Sequence, residues 1–442
     1  MIKIVIPPTT LASNLISTLI VYSMSAESRA SIRKGDYGEL IVTIDINPSE
    51  FLRGFHLALK ENLVPREPIA KIPLIPGGSG TDGWTLMRIF GSKVSLQASR
   101  ARALYDGLLN IVLQELGRGA MNQLARLRID VENGVLRLCM GSCEYSVPVI
   151  VKSEAFYELG RFGGTSDRTA KGQPQHGRVE YKGSKLCSAL LYALTLALCS
   201  GYEAEPETYA FVTVQLEPGE ISGSMASRIA ELHRELMRNV RRVGLRVWSQ
   251  EYEGLRLASL FWLIAKYIEM KYPRFSHNLS LNTTIMACTG RRFYTLWSSA
   301  ISAADICSAA MALESFATEI GVKGMVTKLA KYMALLIASS LRLRSLVVSN
   351  SVDRLWYGVK TLAHALLFGE KRVVLDQLYQ LLRLLKDSST GLRTMLLSSL
   401  SEIAQRVETE LSDVVLEKVE RVEETSRAVW STLHSIVEAI TT

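Results

Sequence analysis

The sequence predicts an α+β protein: an N-terminal mixed α/β domain containing a sheet, followed by a mostly α-helical bundle. Three observations carry this expectation. Strand-like apolar runs alternate with helical spacing through the first 160 residues, helical spacing dominates beyond 186, and a basic glycine-rich stretch separates the two. The 442 residues suffice for two or three domains of ordinary size. The expected division is an α/β domain over 1–160, a basic loop or linker over 161–185, a mainly helical domain over 186–400, and an acidic amphipathic helix over 401–442 that packs on the bundle or on another subunit.

In chain order, IKIVI reads as a strand, TTLASNLISTLIVYSM as a helix, ELIVTIDI as a strand, and SEFLRGFHLALKENL as a helix starting at Pro48 or Ser49. KIPLI, a glycine-rich turn and WTLMRIF follow, the last read as a strand, and then a helix over about 96–117. RLRIDV, VLRLCM and YSVPVIV are strands, the first two joined by Asn133-Gly134, a strong two-residue hairpin signal. Beyond the basic stretch, ETYAFVTVQLE at 207–217 reads as a strand. Nearly everything else has helical spacing, with breaks near Gly254, Pro273, Gly321, Gly369 and Gly391.

Charge narrows the function classes. The net charge is +8, but residues 401–442 hold nine Asp/Glu against four Lys/Arg, a balance of −5, which leaves the first 400 residues at +13. Such a surface favours polyanionic partners through counterion release. The six cysteines form no metal-binding ladder: Cys187 and Cys199 sit in an apolar run, and Cys139 and Cys143, in CMGSC, can meet across a turn as a disulfide or half a zinc site without a second pair to complete it. No metal or other cofactor is expected. The longest apolar runs, 186–199 and 332–341, are too short to span a membrane. A cytoplasmic protein follows as the expectation.

Several stretches are candidates for chemistry. RFGGTSDRTAKGQPQHGRVEYKGSK (161–185) has five glycines, six Lys/Arg and two acids, so Arg161, Arg168, Lys171, Arg178, Lys182 and Lys185 are expected to contact phosphates. PGGSGTDGW (76–84) lacks the residues of a Walker loop or a dinucleotide fingerprint, but Gly77, Gly78, Ser79, Gly80 and Thr81 offer backbone amides, and Trp84 a ring to stack on a base. Asp82 would repel a phosphate if turned inward. In RIAELHRELMRNVRRVGLR (228–246), Arg234, Arg238, Arg241 and Arg242 fall at i, i+4, i+7 and i+8, one helical face, with Glu231 and Glu235 placed to neutralise part of it. Arg291 and Arg292 precede Phe293, Tyr294 and Trp297, a mixture of cations and rings that single-strand binders use.

The order of parts resembles the large subunit of type I-A CRISPR surveillance complexes. The residues carrying the resemblance are the basic stretch 161–185 followed at once by LCSALLYALTLALCSGY. Several relatives in that family carry paired Cys-x-x-Cys zinc elements, which this sequence lacks. The resemblance implies a non-catalytic subunit that contacts the 5′ end of a guide RNA, reads a short duplex motif beside the target DNA, and works with other subunits and a separate helicase-nuclease. Two other classes stay open. Arg228 with His233, and Arg427 with His434, match the Arg-x4-6-His spacing of helical HEPN ribonucleases, which cut RNA without metal, although about one such match is expected by chance. A structural or assembly protein that binds no nucleic acid is the other. His56, His277 and His364 read as structural.

Overall fold

The computed structural model describes residues 1–8, 10–65, 71–75, 82–132, 135–146, 178–204, 207–243, 252–270, 278–289, 292–319, 324, 326–347, 349–387, 391 and 394. The protein is α+β. The first elements are β1 (Ile2–Ile6), α1 (Thr10–Ser23), β2 (Arg29–Lys34), β3 (Leu40–Asp45) and α2 (Pro48–Leu57), which runs into a π-helical turn, Ala58–Asn62. Then come α3 (Asp82–Phe90), α4 (Ala101–Gly117), β4 (Leu127–Glu132), β5 (Val135–Met140), β6 (Tyr145–Ser146) and β7 (Arg178–Gly183). They are followed by α5 (Lys185–Leu198), β8 (Cys199–Ala204), β9 (Glu207–Leu216), β10 (Gly219–Ser222), α6 (Gly223–Val243) and α7 (Tyr252–Glu269). The last are β11 (Leu279–Thr289), β12 (Arg292–Ser302), α8 (Ala303–Glu319), α9 (Val326–Leu346), α10 (Asn350–Phe368) and α11 (Lys371–Asp387).

The chain divides into two compact units, Met1–His233 with Ser276–Ser302, and Arg234–Phe275 with Ala303–Thr442. Among the described residues, the first holds three four-stranded sheets. Sheet one has the order β1-β3-β2-β10, with antiparallel neighbours throughout. Placing β3 between β1 and β2 makes β1–α1–β2–β3 a split βαβ arrangement. Ile4, Ile6, Ile32, Val42 and Ile44 turn inward, while Lys3, Arg29 and Arg33 alternate outward, as the period of two requires. Helix α2 starts where Asn47 Oδ1 accepts a hydrogen bond from the Ser49 amide at 2.9 Å and Pro48 occupies the first turn.

Sheet two has the order β12-β11-β9-β8, and its strand β9 is buried along nearly its whole length. Helix α1 packs on β9, where Thr18 Oγ1 accepts from the Val214 amide at 2.7 Å. Sheet three has the order β4-β5-β7-β6. Glu132 pairs with Val135, as the Asn133-Gly134 signal requires, and β5 runs parallel to β7, whose other neighbour β6 is antiparallel. Every residue from Leu186 to Leu198 in α5 is buried, so this helix is apolar on all sides and forms the centre of the first unit.

The second unit packs α7 against α9 and α8, and α10 against α9, α11 and α8. Among its described residues the largest fully buried side chain is Trp356.

Three sequence expectations are corrected. WTLMRIF is helix α3, because Thr85, Leu86 and Ile89 bury one face of a helix, a pattern a strand would split between two faces. The stretch after 186 is not all helix: β8, β10, β11 and β12 form there, and the 279–302 hairpin lies in the first unit with sheet two. The break expected near Gly254 falls by the start of α7, of which Gly254 is the third residue. A Cβ there would come within 2.5 Å of the Trp356 ring, so the glycine serves helix contact. Gly369, by contrast, does end α10, in the left-handed conformation at φ 69°. Residues 186–233 and 276–302, which the sequence division assigns to the helical domain, belong to the first unit, and the described part of 161–185 is β7 and its junction with α5.

Candidate nucleic-acid interface

Strand β7 carries Arg178 and Lys182, turns at Gly183 and Ser184, and passes directly into α5, whose first residue is Lys185. Ser184 caps the helix by accepting from the Cys187 amide at 3.3 Å. No acid occupies the first turn of α5. A lysine at a helix start opposes the positive end of the helix dipole, so Lys182, Lys185 and that end add to one positive potential instead of cancelling. Both lysines are half-exposed, and among the described residues neither has a carboxylate partner.

The β6 register links this junction to the glycine-rich motif. Ser146 pairs with Lys182 and Tyr145 with Gly183. Arg88, in α3, places its guanidinium carbon 5.4 Å from the Tyr145 ring centre and 4.8 Å from that of Trp84. Residues directly opposite in an antiparallel pair share a face, so the pleat puts Tyr145 on one face and Lys182 on the other. The cluster therefore wraps the β6 edge of sheet three.

Helix α3 is held from beneath by Asp82. Its carboxylate is 1 % exposed and accepts from the Ile75 amide at 2.8 Å and from the Tyr192 hydroxyl at 3.1 Å, while the Gly83 amide donates to the Ile75 carbonyl at 3.1 Å. Burial, then the Asp82 charge, pushes the Tyr192 phenol well up, so it remains a donor. Asp82 thus ties Ile75 to the start of α3.

Arg88 and Tyr145 are the members that sequence reading missed. Trp84 and Arg88 are four apart, adjacent on a helix but about 13 Å apart on a strand, and WTLMRIF was expected to be a strand. Gly77, Gly78, Ser79, Gly80 and Thr81 lie outside the described residues, as do Arg161, Arg168, Lys171 and Arg291. Arg178 opens β7 in register with Val135, and Arg292 opens β12 opposite Thr289, which makes the 292–297 stretch strand and not helix. Phe293 is buried, with its ring 5.6 Å from that of Tyr209, so it serves the core and not a ligand.

On α6, Arg234 and Arg238 lie on the half-exposed side, opposite buried Leu232, Leu236 and Val240. Arg238 Nη1 is 3.7 Å from Glu235 Oε2. Arg241 and Arg242 belong to the last turn of α6, their side chains outside the described residues. His233 is fully buried, with Nδ1 2.9 Å from the Tyr22 hydroxyl and Nε2 2.9 Å from the Val212 carbonyl. Both ring nitrogens are committed to packing, so Arg228 and His233 offer no accessible acid-base pair to a bound RNA. His434 lies outside the described residues.

Cys139 and Cys143 are free thiols, and among the described residues no group of three His, Cys, Asp or Glu is arranged to hold a metal ion. Among the described residues no helix is long and apolar enough to cross a membrane. Against protein-family models, curated proteins and solved structures, the chain finds no match.

Proposed function

We propose that this chain is a nucleic-acid-binding subunit without chemistry of its own, working in an RNA-guided DNA surveillance complex. In this reading it contacts the guide RNA 5′ end and a short duplex motif beside the target DNA, docks on other subunits, and leaves strand cutting to a separate helicase-nuclease. One observation carries the reading. Lys182, Lys185 and the acid-free start of α5 flank the β6 edge of sheet three, whose Tyr145 ring, with that of Trp84, lies against the Arg88 guanidinium. Cations without carboxylate partners near half-exposed rings suit a phosphate backbone and its bases. The +13 balance of residues 1–400 supplies the long-range attraction.

The test is the salt dependence of binding by the purified full chain, measured by fluorescence anisotropy on duplex DNA and on RNA with a repeat-derived 5′ end. The affinity falls steeply with salt, and replacing Lys182 and Lys185 by Ala lowers the slope of log K against log salt by about 2 on duplex DNA. A flat salt response, or a slope unchanged in the double variant, overturns the reading.

A further inference from the structure

We propose that the open edge of β12 pairs with the same edge of a second copy of this chain, joining sheet two to its counterpart across a two-fold axis. The ladder fixes which groups lie on that edge. The Glu217 amide donates to the Asn278 carbonyl at 3.0 Å, one step beyond the Leu216–Leu279 pair, so at every second residue Ser280, Asn282 and Thr284 also bond to β9. Leu281, Thr283 and Ile285 then bond to β12, opposite Ile301, Ser299 and Trp297. The residues between, Ser298 and Ala300, therefore aim their amides and carbonyls away from β11. Both residues are exposed, and among the described residues nothing pairs with those backbone groups. Elsewhere in the same sheet the fold does supply partners. Where β9 runs past β8, Thr18 Oγ1 accepts from the Val214 amide at 2.7 Å and His233 Nε2 lies 2.9 Å from the Val212 carbonyl.

The other outer strands are guarded against such pairing. Lys3 lies in β1, Glu203 in β8, Glu220 in β10, and Arg128 and Asp130 in β4, while β6 is two residues long. After its first residue, Arg292, strand β12 contains neither charge nor proline, and the chain has none from Phe293 to Ala304. Its irregularity is a bulge at Leu296, since Ile285 faces Trp297 and Met286 faces Thr295.

The occupant follows from the residues beyond the bulge. That regular stretch is centred on Ser299, and antiparallel pairing about this residue sets Ser298 opposite Ala300 of the second copy, and Ala300 opposite Ser298 of the second copy. Each pair exchanges amide and carbonyl in both directions. Ser299 meets its own copy on the axis as a non-hydrogen-bonded pair, with Cα atoms about 4.5 Å apart. The same small, uncharged residues stand on both sides, so the edge is its own complement. Charge points the same way: with +13 over residues 1–400 two copies repel at most approaches, but on this edge no like charges oppose each other.

The paired stretch is short, so the dimer is reversible, with a dissociation constant of about 1–100 μM. Sedimentation equilibrium of the nuclease-treated full chain shows the mass rising from monomer to dimer across that range. Ala300→Pro deletes an amide that faces solvent in the monomer, so its thermal unfolding matches the parent while association weakens at least about tenfold. Ala300→Lys keeps the amide but brings like charges to the pairing edge, and it weakens association even if the proline variant fails to fold. Ser299→Cys reads the register: it yields a disulfide-linked dimer on a non-reducing gel, whereas Ala300→Cys, displaced along the strands from its copy, links far less. A parent chain that stays monomeric, or a dimer that survives in the folded Ala300 variants, overturns the proposal. A dimer that Ser299→Cys does not link overturns the pairing about that residue. No nucleic acid enters these measurements, so they stand or fall separately from the functional reading.

Discussion

Helix α6 carries four arginines at i, i+4, i+7 and i+8, and the β7–α5 junction carries Arg178, Lys182 and Lys185 within eight residues. By charge count the helix is the richer stretch. In the fold their surroundings differ: Arg238 has Glu235 within 3.7 Å, whereas the junction's lysines sit at a helix start with no acid in its first turn. Exposed ion pairs contribute little to stability, but they do neutralise, and a neutralised cation releases fewer counterions when it meets a phosphate. Local charge density is thus a poorer guide to an anion site than whether carboxylates share its surface. Lys71 makes the same point, since it pairs with Glu207 at 2.8 Å and is a cation already spent.

The largest expected effect concerns what holds each region in place. The junction's partner helix α3 rests on the buried Asp82 carboxylate, and α6 rests on buried His233. Replacing Asp82 by Ala strands the Ile75 amide and the Tyr192 hydroxyl without an acceptor and costs about 2–4 kcal/mol, read by denaturant unfolding of the full chain. Asp82→Asn keeps an acceptor and costs less. If both variants unfold like the parent, Asp82 is not the anchor.

A smaller effect separates the two cation sets. Replacing Arg234 and Arg238 by Ala lowers the salt slope of duplex binding by less than the junction double variant, which lowers it by about 2. Equal losses would erase the comparison. Lys71→Met leaves the slope unchanged and shows itself only in stability against pH. Burial raises the Glu207 carboxyl, but its hydrogen bonds from Lys71 and Tyr209 outweigh that and hold it below its ordinary value. The pair's contribution is therefore present above the unfolded carboxylate range, near pH 4.3, and disappears as pH falls through the lower folded value. Parent and variant converge in acid titrations followed by circular dichroism; a difference persisting at the lowest pH would exclude the ion pair as its source.

Much of this was legible in the residues themselves. Asn133-Gly134 fixed the β4–β5 hairpin because that dipeptide tolerates the positive φ of a tight turn, and the unbroken apolar run of 186–198 marked a helix with no solvent face. Lys182 and Lys185 were visible as charges. Their place on the same sheet edge as the Arg88–Tyr145 contact was not, because it depends on β6, two residues long, pairing with β7 across residues 147–177. The 279–302 hairpin was hidden for a different reason. Strand β11 is buried from Leu279 to Ala287, so its apolar residues show no alternation to tell it from helix, and only the Thr and Ser content of LSLNTTIMACT pointed to a strand.

The finest test of the comparison removes an acid instead of a cation. Glu235 lies beside Arg238, and its other oxygen accepts from Asn239 Nδ2 at 3.1 Å. Glu235→Gln keeps that acceptor and the helix propensity of the position, so α6 stays folded, but it deletes the charge that neutralises Arg238. If availability and not number of cations sets the electrostatic contact, the variant binds duplex DNA more tightly than the parent. The gain is bounded by the strength of an exposed pair, about 0.2–1 kcal/mol, or at most roughly fivefold, and it shrinks as salt is added. An affinity that does not rise at low salt means that Arg238 never reaches the nucleic acid, and that the junction alone carries the contact.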